Sequence, residues 1–552
     1  MNKKIVLVLI SFGLYLFSKG QSENWIWVNS GGGSGDDEAN GMALDNNGNI
    51  LVAGYFTSPT FSIGNATLTN TGGKDIFIIK SDSSGNILWA RTAISSGNDV
   101  VNDISSDPDG NVYIAGWFKS PFLIIGSDSL KSTDSTHADA FVIKFDSLGN
   151  VKWMKVAGDT NDDVATAICA GPSGKLDVTG FYKSFTIPLG NFFLTNQGGK
   201  DIFISKWDPM GNVIWAKGIG DTQDDEALDI STDQSENVYI TGDYKSFTLP
   251  IGNSNLTNAG GADIVTAKFD SSGNPLWGKG EGGSGNDLGN IINSLSTQTI
   301  EIGGSFDSPT ITSDVIVLVN VQAKDIHFQG LDASSGTVAY GYGYGGSFDE
   351  SVTGITSGPD KSTLLTGFFT SPTLPLGKDT LQNSHPGLEE MFIVEYDSLK
   401  TISWNIKVGT SDSSLTGKNI VADKDIIYVT GTSSGDATIG ITPLLNKGSK
   451  DFFIGKVGKT NPSGLQKNFE IFALETYPNP ANEYLFISVK KNFGGMVSVS
   501  LSDVLGQRVY FSEDLSEKGT FQKQVDINKI SKGIYFIEVV AGQKKYSGKI
   551  IK

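Results

Sequence analysis

The feature that most constrains this chain is a recurring segment, seen most fully at residues 198–218, GGKDIFISKWDPMGNVIWAKG. Close relatives stand at 72–91 (GGKDIFIIKSDSSGNILWAR), 138–155 (ADAFVIKFDSLGNVKWMK) and 260–279 (GGADIVTAKFDSSGNPLWGK), with weaker ones from Lys324, Glu389 and Lys450. Three markers keep step with it. A glycine closes an apolar run at Gly54, Gly116, Gly180, Gly242, Gly304, Gly367 and Gly431, at spacings of 62 to 64 residues. An acid opens the next run at Asp75, Asp139, Asp201, Asp263, Asp325, Glu390 and Asp451. An aromatic residue sits in the last run at Trp27, Trp89, Trp153, Trp215, Trp277, Tyr340 and Trp404. Self-similarity at a fixed period of this length signals a solenoid, a propeller or an array.

One unit, 219–280, reads as four strands: a near Ala227–Thr232, b near Asn237–Tyr244, c near Asp263–Asp270 and d near Asn274–Lys279. The a–b and c–d turns carry Asp-x-x-Gly-Asn, as in DNNGN (45–49) and DSSGN (82–86). Asp bonds the backbone two residues on, and Gly accepts the positive φ such hairpins need. Runs such as IFII and VYIAGWF are apolar on both faces, which predicts sheets covered on both sides. Four-stranded, two-sided, radially repeated sheets describe propeller blades.

The order of the markers predicts closure. Trp27 lies in WIWV, a d-type strand, before any a, b or c strand, while the last c strand, DFFIGKVG (451–458), has no d strand after it. The N-terminal strand is therefore expected to complete the seventh blade beside it, removing the free edges of an open array. No segment has a 3.6-residue period, so a helical solenoid is excluded. An open β-solenoid remains but leaves the permuted first strand unexplained.

The net charge of −18 argues against a nucleic-acid partner, which needs clustered Lys and Arg. Cys169 is the one cysteine, so no intrachain disulfide forms, and in ATAICAG it reads as a small buried residue. Residues 1–20 have the parts of a secretory signal: Lys3 and Lys4, the apolar run Ile5 to Phe17, and Ser18-Lys19-Gly20 before Gln21. That run is too short to span a bilayer, no cysteine follows it to anchor a lipid, and no transmembrane segment is expected in the mature chain.

Residues 24–459 resemble the bacterial seven-bladed β-propeller repeat family, whose repeats run Gly-x-Asp-x-Phe-Val-x-Lys-x-Asp-x-x-Gly-Asn-x-x-Trp. The resemblance implies fold rather than activity. Blades five to seven depart from it: Tyr340 replaces Trp, and the turns degrade at 297–299, 359–362 and 398–401. After Lys459 the repeat stops. Residues 460–470 (TNPSGLQKNFE) read as a linker. Alternating runs at 484–490, 496–502, 508–511, 521–527, 534–540 and 545–551 predict a small β-sandwich over 471–552. TYPNPANEYLFISV (476–489), LSDVLGQRVY (501–510), INKISKGIYFIEV (527–539) and the terminal GKIIK are similar to the type A C-terminal sorting domain of the type IX secretion system of Bacteroidetes-type bacteria. Tyr477, Pro478, Asn479 and Pro480 match its opening motif, and Gly506, Gly533, Tyr535 and Lys549 the later ones. The resemblance implies the type IX machinery as partner, and release or attachment at the cell surface.

A residue present in every blade is most simply structural, because a single site must break the symmetry. The recurrent Lys80, Lys144, Lys206, Lys268 and Lys456 therefore read as ion pairs or covering stems. The acids at the d–a crossing (Asp36/Asp37, Asp162/Asp163, Asp224/Asp225, with Asp99, Asp287 and Asp349) read as turn caps, with calcium as the sharper alternative. His137, His327 and His385 stand on separate blades, outside metal or triad spacing. The segment GTVAYGYGYGGSFDE (336–350) breaks the pattern, and Tyr340, Tyr342, Tyr344 and Phe348 are candidate ligand contacts against the alternative of a degenerate d strand. The b–c connections, such as residues 57–74, are far longer than hairpins, so their face is the expected binding face for a glycan, a matrix polymer or a surface protein. No catalytic constellation and no cofactor site is legible, and a non-catalytic exported propeller is expected. The rival is a polysaccharide- or peptide-cleaving enzyme, since carboxylate pairs across blades cannot be read from one chain.

Overall fold

The Asp-x-x-Gly-Asn turn shows how local chemistry builds each sheet in the computed structural model of the chain. Asp82 Oδ1 accepts the N–H of Ser84 at 2.8 Å and of Asn86 at 2.9 Å, and Oδ2 accepts the Asn86 side-chain amide at 2.9 Å. Gly85 takes φ +84° and closes the turn onto Asp82 O. Asp45, Asp107, Asp146, Asp208, Asp233 and Asp270 repeat this geometry. So does Asp397 at 397–401, one of the turns whose sequence is degraded: Lys400 stands at φ +61° where Gly would be, and its Nζ meets Glu301 at 2.6 Å.

The structure describes residues 25–294, 298–424, 426–458, 471–473, 475–502, 508–541 and 544–552. The expected signal segment 1–20, the linker 460–470 and Gly506 lie outside them. The chain divides into two compact units at Lys459/Thr460. Among the described residues there is no α-helix, and no helix long and apolar enough to cross a membrane.

The first unit is a series of antiparallel four-stranded sheets, compatible with a propeller, that repeat the order a–b–c–d. In the fourth, a is Asp225–Thr232, b Val238–Tyr244, c Asp263–Phe269 and d Pro275–Glu281, within two residues of the expected bounds. Six sheets are built this way from consecutive strands. In the last, a is Leu415–Asp423, b Ile426–Ser433 and c Asp451–Gly458, and strand Trp25–Gly32 pairs antiparallel with c, placing Trp27 opposite Lys456.

Adjacent sheets are joined by the markers themselves. In the first four sheets the Trp of strand d donates its indole N–H to the c–d turn of the following sheet: Trp89 to Ser147 O, Trp153 to Pro209 O and Trp215 to Ser271 O at 3.1 Å, and Trp277 to Ala333 O at 3.2 Å. Trp27 does the same to Ser83 O of the first sheet at 3.3 Å. The turn glycine lies flat on that indole; a Cβ on Gly273 would stand 2.6 Å from Trp215 Cδ2. The recurrent lysines reinforce the same seam, Lys144 Nζ reaching Pro209 O at 3.1 Å and Lys456 Nζ reaching Ser83 O at 2.7 Å. On the inner side, a bulge in each of the first three strands a turns one polar side chain toward the next sheet: Asn40 Nδ2 donates to Val101 O, Asn102 Nδ2 to Ala165 O, and Thr166 Oγ1 to Ala227 O, at 2.7–2.9 Å. Asn419 of the last strand a donates to Asn40 O of the first at 2.7 Å.

The b–c connections are not the long loops expected. Each folds into a short hairpin, such as Thr186–Leu189 with Phe192–Thr195 or Thr248–Ile251 with Ser254–Thr257. Leu249, Ile251 and Leu256 are buried in one cluster with Trp215 and Ile219 of the preceding strand d. Ile94 at the end of one strand d exchanges two backbone hydrogen bonds with Ile124 in the next hairpin. The hairpins thus seal the outer seam between sheets. The alternation in FTIPLGNFFLT, with Gly190 at φ +60° in the tight turn, is the cause.

The acids at the d–a crossing cap turns. Asp37 Oδ2 accepts Ser58 Oγ at 2.6 Å and Gly33 N at 2.7 Å, and Asp163, Asp225 and Asp287 repeat this pattern. In the sixth sheet Glu350, not Asp349, holds this place, opposite Phe369. Each stands near the strand c acid of the preceding sheet, pairing Asp75 with Asp99, Asp201 with Asp225, Asp325 with Glu350 and Asp451 with Asp37. Burial, partly offset by these hydrogen bonds, pushes Asp99, Asp201 and Glu350 up to about 7 and Asp163, Asp263 and Asp325 up to about 6.

The C-terminal unit is one sheet curled around its own core. The six expected short strands are in fact four: Tyr484–Ser502 and Arg508–Asp526 each run through two of the expected segments, followed by Ile534–Ala541 and Lys544–Ile551. Leu485 and Ile487 share a buried cluster with Val497, Val499 and Leu501 further along the same strand, so the sheet folds over itself. The short strands Ile471–Ala473 and Glu475–Tyr477 add to its edges.

Trp215→Phe leaves Ser271 O without its donor and is expected to cost about 1–2 kcal/mol by chemical denaturation. Trp404 Nε1 is buried and unpartnered, so Trp404→Phe is expected to be neutral or mildly stabilising. The raised carboxyls hold protons in the folded chain that the unfolded chain releases near pH 4, so stability is fully present at low pH and declines as pH rises to about 7. Melting scans at fixed ionic strength should give a midpoint roughly 5 °C higher at pH 5 than at pH 7.5. Asp99→Asn should narrow that difference.

Candidate functional site

In a repeating scaffold a site is sought where equivalent positions stop being equivalent. The residue after the strand b glycine is Tyr55, Trp117, Phe181, Asp243, Ser305, Phe368 or Thr432, and its strand a partner is Glu38, Val100, Val164, Glu226, Leu288, Ser351 or Thr416. These positions lie on the face of the d–a and b–c connections, the face the sequence singles out.

At the first sheet the place is taken by a charged network. Tyr55 OH donates to Glu38 Oε1 at 2.8 Å, Lys418 and Lys450 flank Glu38 at 3.4 and 3.5 Å, and Lys74 lies 3.7 Å over the Tyr55 ring. Burial pushes the Glu38 carboxyl up, but these partners outweigh it and hold it below the usual range. At the fourth sheet burial pushes Asp243 up to about 7, with Glu226 adding repulsion. Lys200 pairs with Glu226 and covers the Phe181 ring at 4.1 Å.

The second and third sheets differ. Here the mouth is an open depression of about 710 Å³ with Trp117 and Phe181, both half-buried, among its walls, and Ala138 and Val164 beside them. Asn40, Asn102 and Thr166, the bulge residues of three successive strands a, line its inner side. Asn98 and Lys119 are exposed at the rim, and Asp162 accepts Ala138 N at 3.0 Å. Next to Asn102, Asp103 accepts the N–H of Ile168 at 2.9 Å, and burial pushes its carboxyl up to about 7. Asp229 accepts Ile292 N at 2.7 Å and is raised well above the usual range by burial and by Asp103. An arrangement of two aromatic rings over fixed amide and hydroxyl groups can bind a small or chain-like ligand.

The candidates read from sequence lie elsewhere. Tyr342 OH donates to Lys400 O at 2.7 Å, across the seam where the other sheets use Trp. Tyr340 OH donates to Glu301, and Tyr344 stacks 6.1 Å from Tyr342. These three pack the junction of the fifth and sixth sheets, with Phe328 and Tyr396. Phe348 is exposed in the d–a turn. His327 is buried with Nε2 at 2.8 Å from Leu288 O, and burial pushes it down to about 4. Burial, helped by Asp177, pushes the Cys169 thiol up to about 12. Trp117, Phe181, Asn40, Asn102 and Thr166 went unread, although the variable position after each strand b glycine was there to be compared.

In the C-terminal unit the two ends of the motif meet. Asn479 Nδ2 donates to Lys549 O and its Oδ1 accepts Ile551 N, both at 2.9 Å. Gly533 exchanges backbone hydrogen bonds with Lys552, and buried Tyr535 donates its hydroxyl to Ser531 O at 2.8 Å. Tyr477, Pro478, Pro480 and Lys549 are exposed.

An uncharacterized WD repeat-containing protein of Acanthamoeba polyphaga mimivirus is 22% identical over 74% of this chain and 36% of its own length. The regulatory protein FlaEY of Caulobacter vibrioides is 28% identical over 30% of this chain and 18% of its own. The chain thus spans about a third or less of the length of these two curated relatives. Similar solved structures include a fungal alcohol oxidase of the AA5 family in complex with copper (10% identity, 96% of this chain, 99% of that one, TM-score 0.39). Another is the quinohemoprotein alcohol dehydrogenase from Comamonas testosteroni (9% identity, 93% and 77%, TM-score 0.34). Residues 475–552 match the family model of the secretion system C-terminal sorting domain, which implies export by type IX secretion to the cell surface or beyond.

Proposed function

We propose that the chain is an exported, non-catalytic seven-bladed β-propeller that binds a surface or matrix ligand at the depression beside Trp117 and Phe181. A signal peptide at 1–20 brings it to the type IX machinery, and the C-terminal unit carries it through the outer membrane. The repeats are of the bacterial seven-bladed type, and strand Trp25–Gly32 closes the ring. That closure is supported by its pairing with Asp451–Gly458 and by Asn419 reaching Asn40. The observation that carries the binding role is the open depression at the second and third sheets, where Trp117 and Phe181 stand beside the amide and hydroxyl groups of Asn40, Asn102 and Thr166. Structural use of the acids at the seams, each capped by N–H and O–H donors, favours turn-capping over calcium there.

One observation favours the enzymatic rival: Asp103, the residue after Asn102 but not itself in the lining, is raised to about 7 and so keeps a proton of the kind a general acid gives. Asp103→Asn separates the readings. A binding protein keeps its ligand and gains stability at pH 7.5; a hydrolase loses turnover.

Purified protein carrying Trp117→Ala and Phe181→Ala is expected to keep its melting midpoint within about 3 °C. It should lose at least tenfold in retention on envelope and matrix fractions of the producing cells. Undiminished retention would remove the mouth from the function. Deleting 475–552 should leave the first unit inside the outer membrane, read by cell fractionation.

A further inference from the structure

The depression between the second and third sheets is specific in its chemistry, and we propose that it takes a neutral oligosaccharide. One sugar face lies on Trp117, and the hydroxyls are read by Asn40, Asn102 and Thr166. The inference rests on the mouth being a binding site and names what it binds. The three polar groups are oriented before any ligand arrives. Asn40 Nδ2 is fixed on Val101 O at 2.9 Å and Asn102 Nδ2 on Ala165 O at 2.8 Å, so each amide keeps its carbonyl oxygen and one N–H for a ligand. The Thr166 hydroxyl gives its proton to Ala227 O at 2.7 Å and is left an acceptor. Mixed neutral donors and acceptors in fixed positions match hydroxyl groups, which both give and accept.

A carboxylate or phosphate would call for charge-assisted donors, above all Arg. The lining holds one cation, Lys119 at the rim, against one anion, Asp162, and so offers no net field to an ion. Lys200, close by, is held by Glu226 over Phe181 and is not part of the lining, so the ring presents its other side. The contrast with the first sheet is informative. There Tyr55, the counterpart of Trp117, is covered by Lys74 and tied to Glu38, leaving no bare ring. Half-buried Trp117 keeps an apolar face large enough for the C–H side of a pyranose, next to hydrogen-bonding groups that such a ring also needs. The volume, about 710 Å³, suits two or three sugar units.

The test uses the full chain, with tryptophan fluorescence and calorimetry against neutral linear hexose oligomers of various linkages. Uronate oligomers and a neutral mixed-sequence peptide serve as competitors. At least one neutral oligomer is expected to bind with Kd below about 1 mM. Trp117→Leu should weaken it at least tenfold, Trp117→Tyr should restore most of the affinity, and Asn102→Ala should cost about three- to tenfold. Phe348→Ala, on the same face outside the depression, should change nothing. If Trp117→Leu does not fold, Phe181→Leu and Asn102→Ala take its place. Absence of binding by any neutral oligomer at about 10 mM, or equal affinity in the Trp117 variant, overturns the proposal. Uronate or peptide binding that depends on Trp117 also overturns it, while keeping the mouth as a site. Loss of neither sugar binding nor envelope retention in the variants overturns both readings.

Discussion

The contact between a strand d indole and the c–d turn of the next sheet is what makes a series of small sheets into one body. Each sheet is apolar on both faces, with strands b and c almost entirely buried, so a single sheet left in water would expose a large part of its core. The indole of Trp153 answers this at two levels. Its ring covers Gly211, whose missing Cβ allows the approach, and its N–H satisfies Pro209 O, a turn carbonyl with no other place in the ladder. The turn glycine is therefore fixed twice, by its positive φ and by the ring above it. Where the Trp is replaced, the seam is kept by other means: Tyr342 reaches Lys400 O, and Lys400 itself is tied to Glu301.

This division of labour explains what was legible in the sequence. Residues that make the seam repeat because every seam needs them, and repetition reveals strand order, turn type and the role of the first strand around Trp27. Short strands that contain Pro and end at Gly, such as Thr186–Leu189, read as loop because their alternation spans only four residues. The break at Tyr340, Tyr342 and Tyr344 was visible, but it fell on an outer strand, where a changed residue is answered by packing against Phe328 and Tyr396. The informative break was one residue past each strand b glycine. It hides inside a well-kept motif, and its meaning depends on neighbours such as Val164 and Ala138 that come together only when sheets are side by side. Two C-terminal strands were read as four because the signal of alternation fades where the strands bend near 489–495.

Electrostatics follows the same separation. The chain is strongly acidic, yet many of its acids are at seams, where hydrogen-bond donors from two adjacent turns converge on each carboxyl. Burial there favours the neutral acid, the opposite of what a surface acid experiences. The mouth residues are arranged otherwise: charge is neutralised in pairs at the first and fourth sheets and is nearly missing between the second and third. A binding surface without a field selects by shape and hydrogen bonding rather than by attraction, and it can work in salt or in fresh water alike.

The sorting motif divides in a similar way into what the fold consumes and what it leaves outside. Asn479 pairs both ends of its amide with the backbone of the last strand, so the first part of the motif cannot take its shape until the chain's final residues are in place. Gly533 and Tyr535 support the same end, through Lys552 and Ser531. Tyr477, stacked on Phe486 but more than half exposed, is not needed for that bracing, and neither is the Lys549 side chain. A motif that is complete only when both ends of the unit have folded together reports the folded state of that unit.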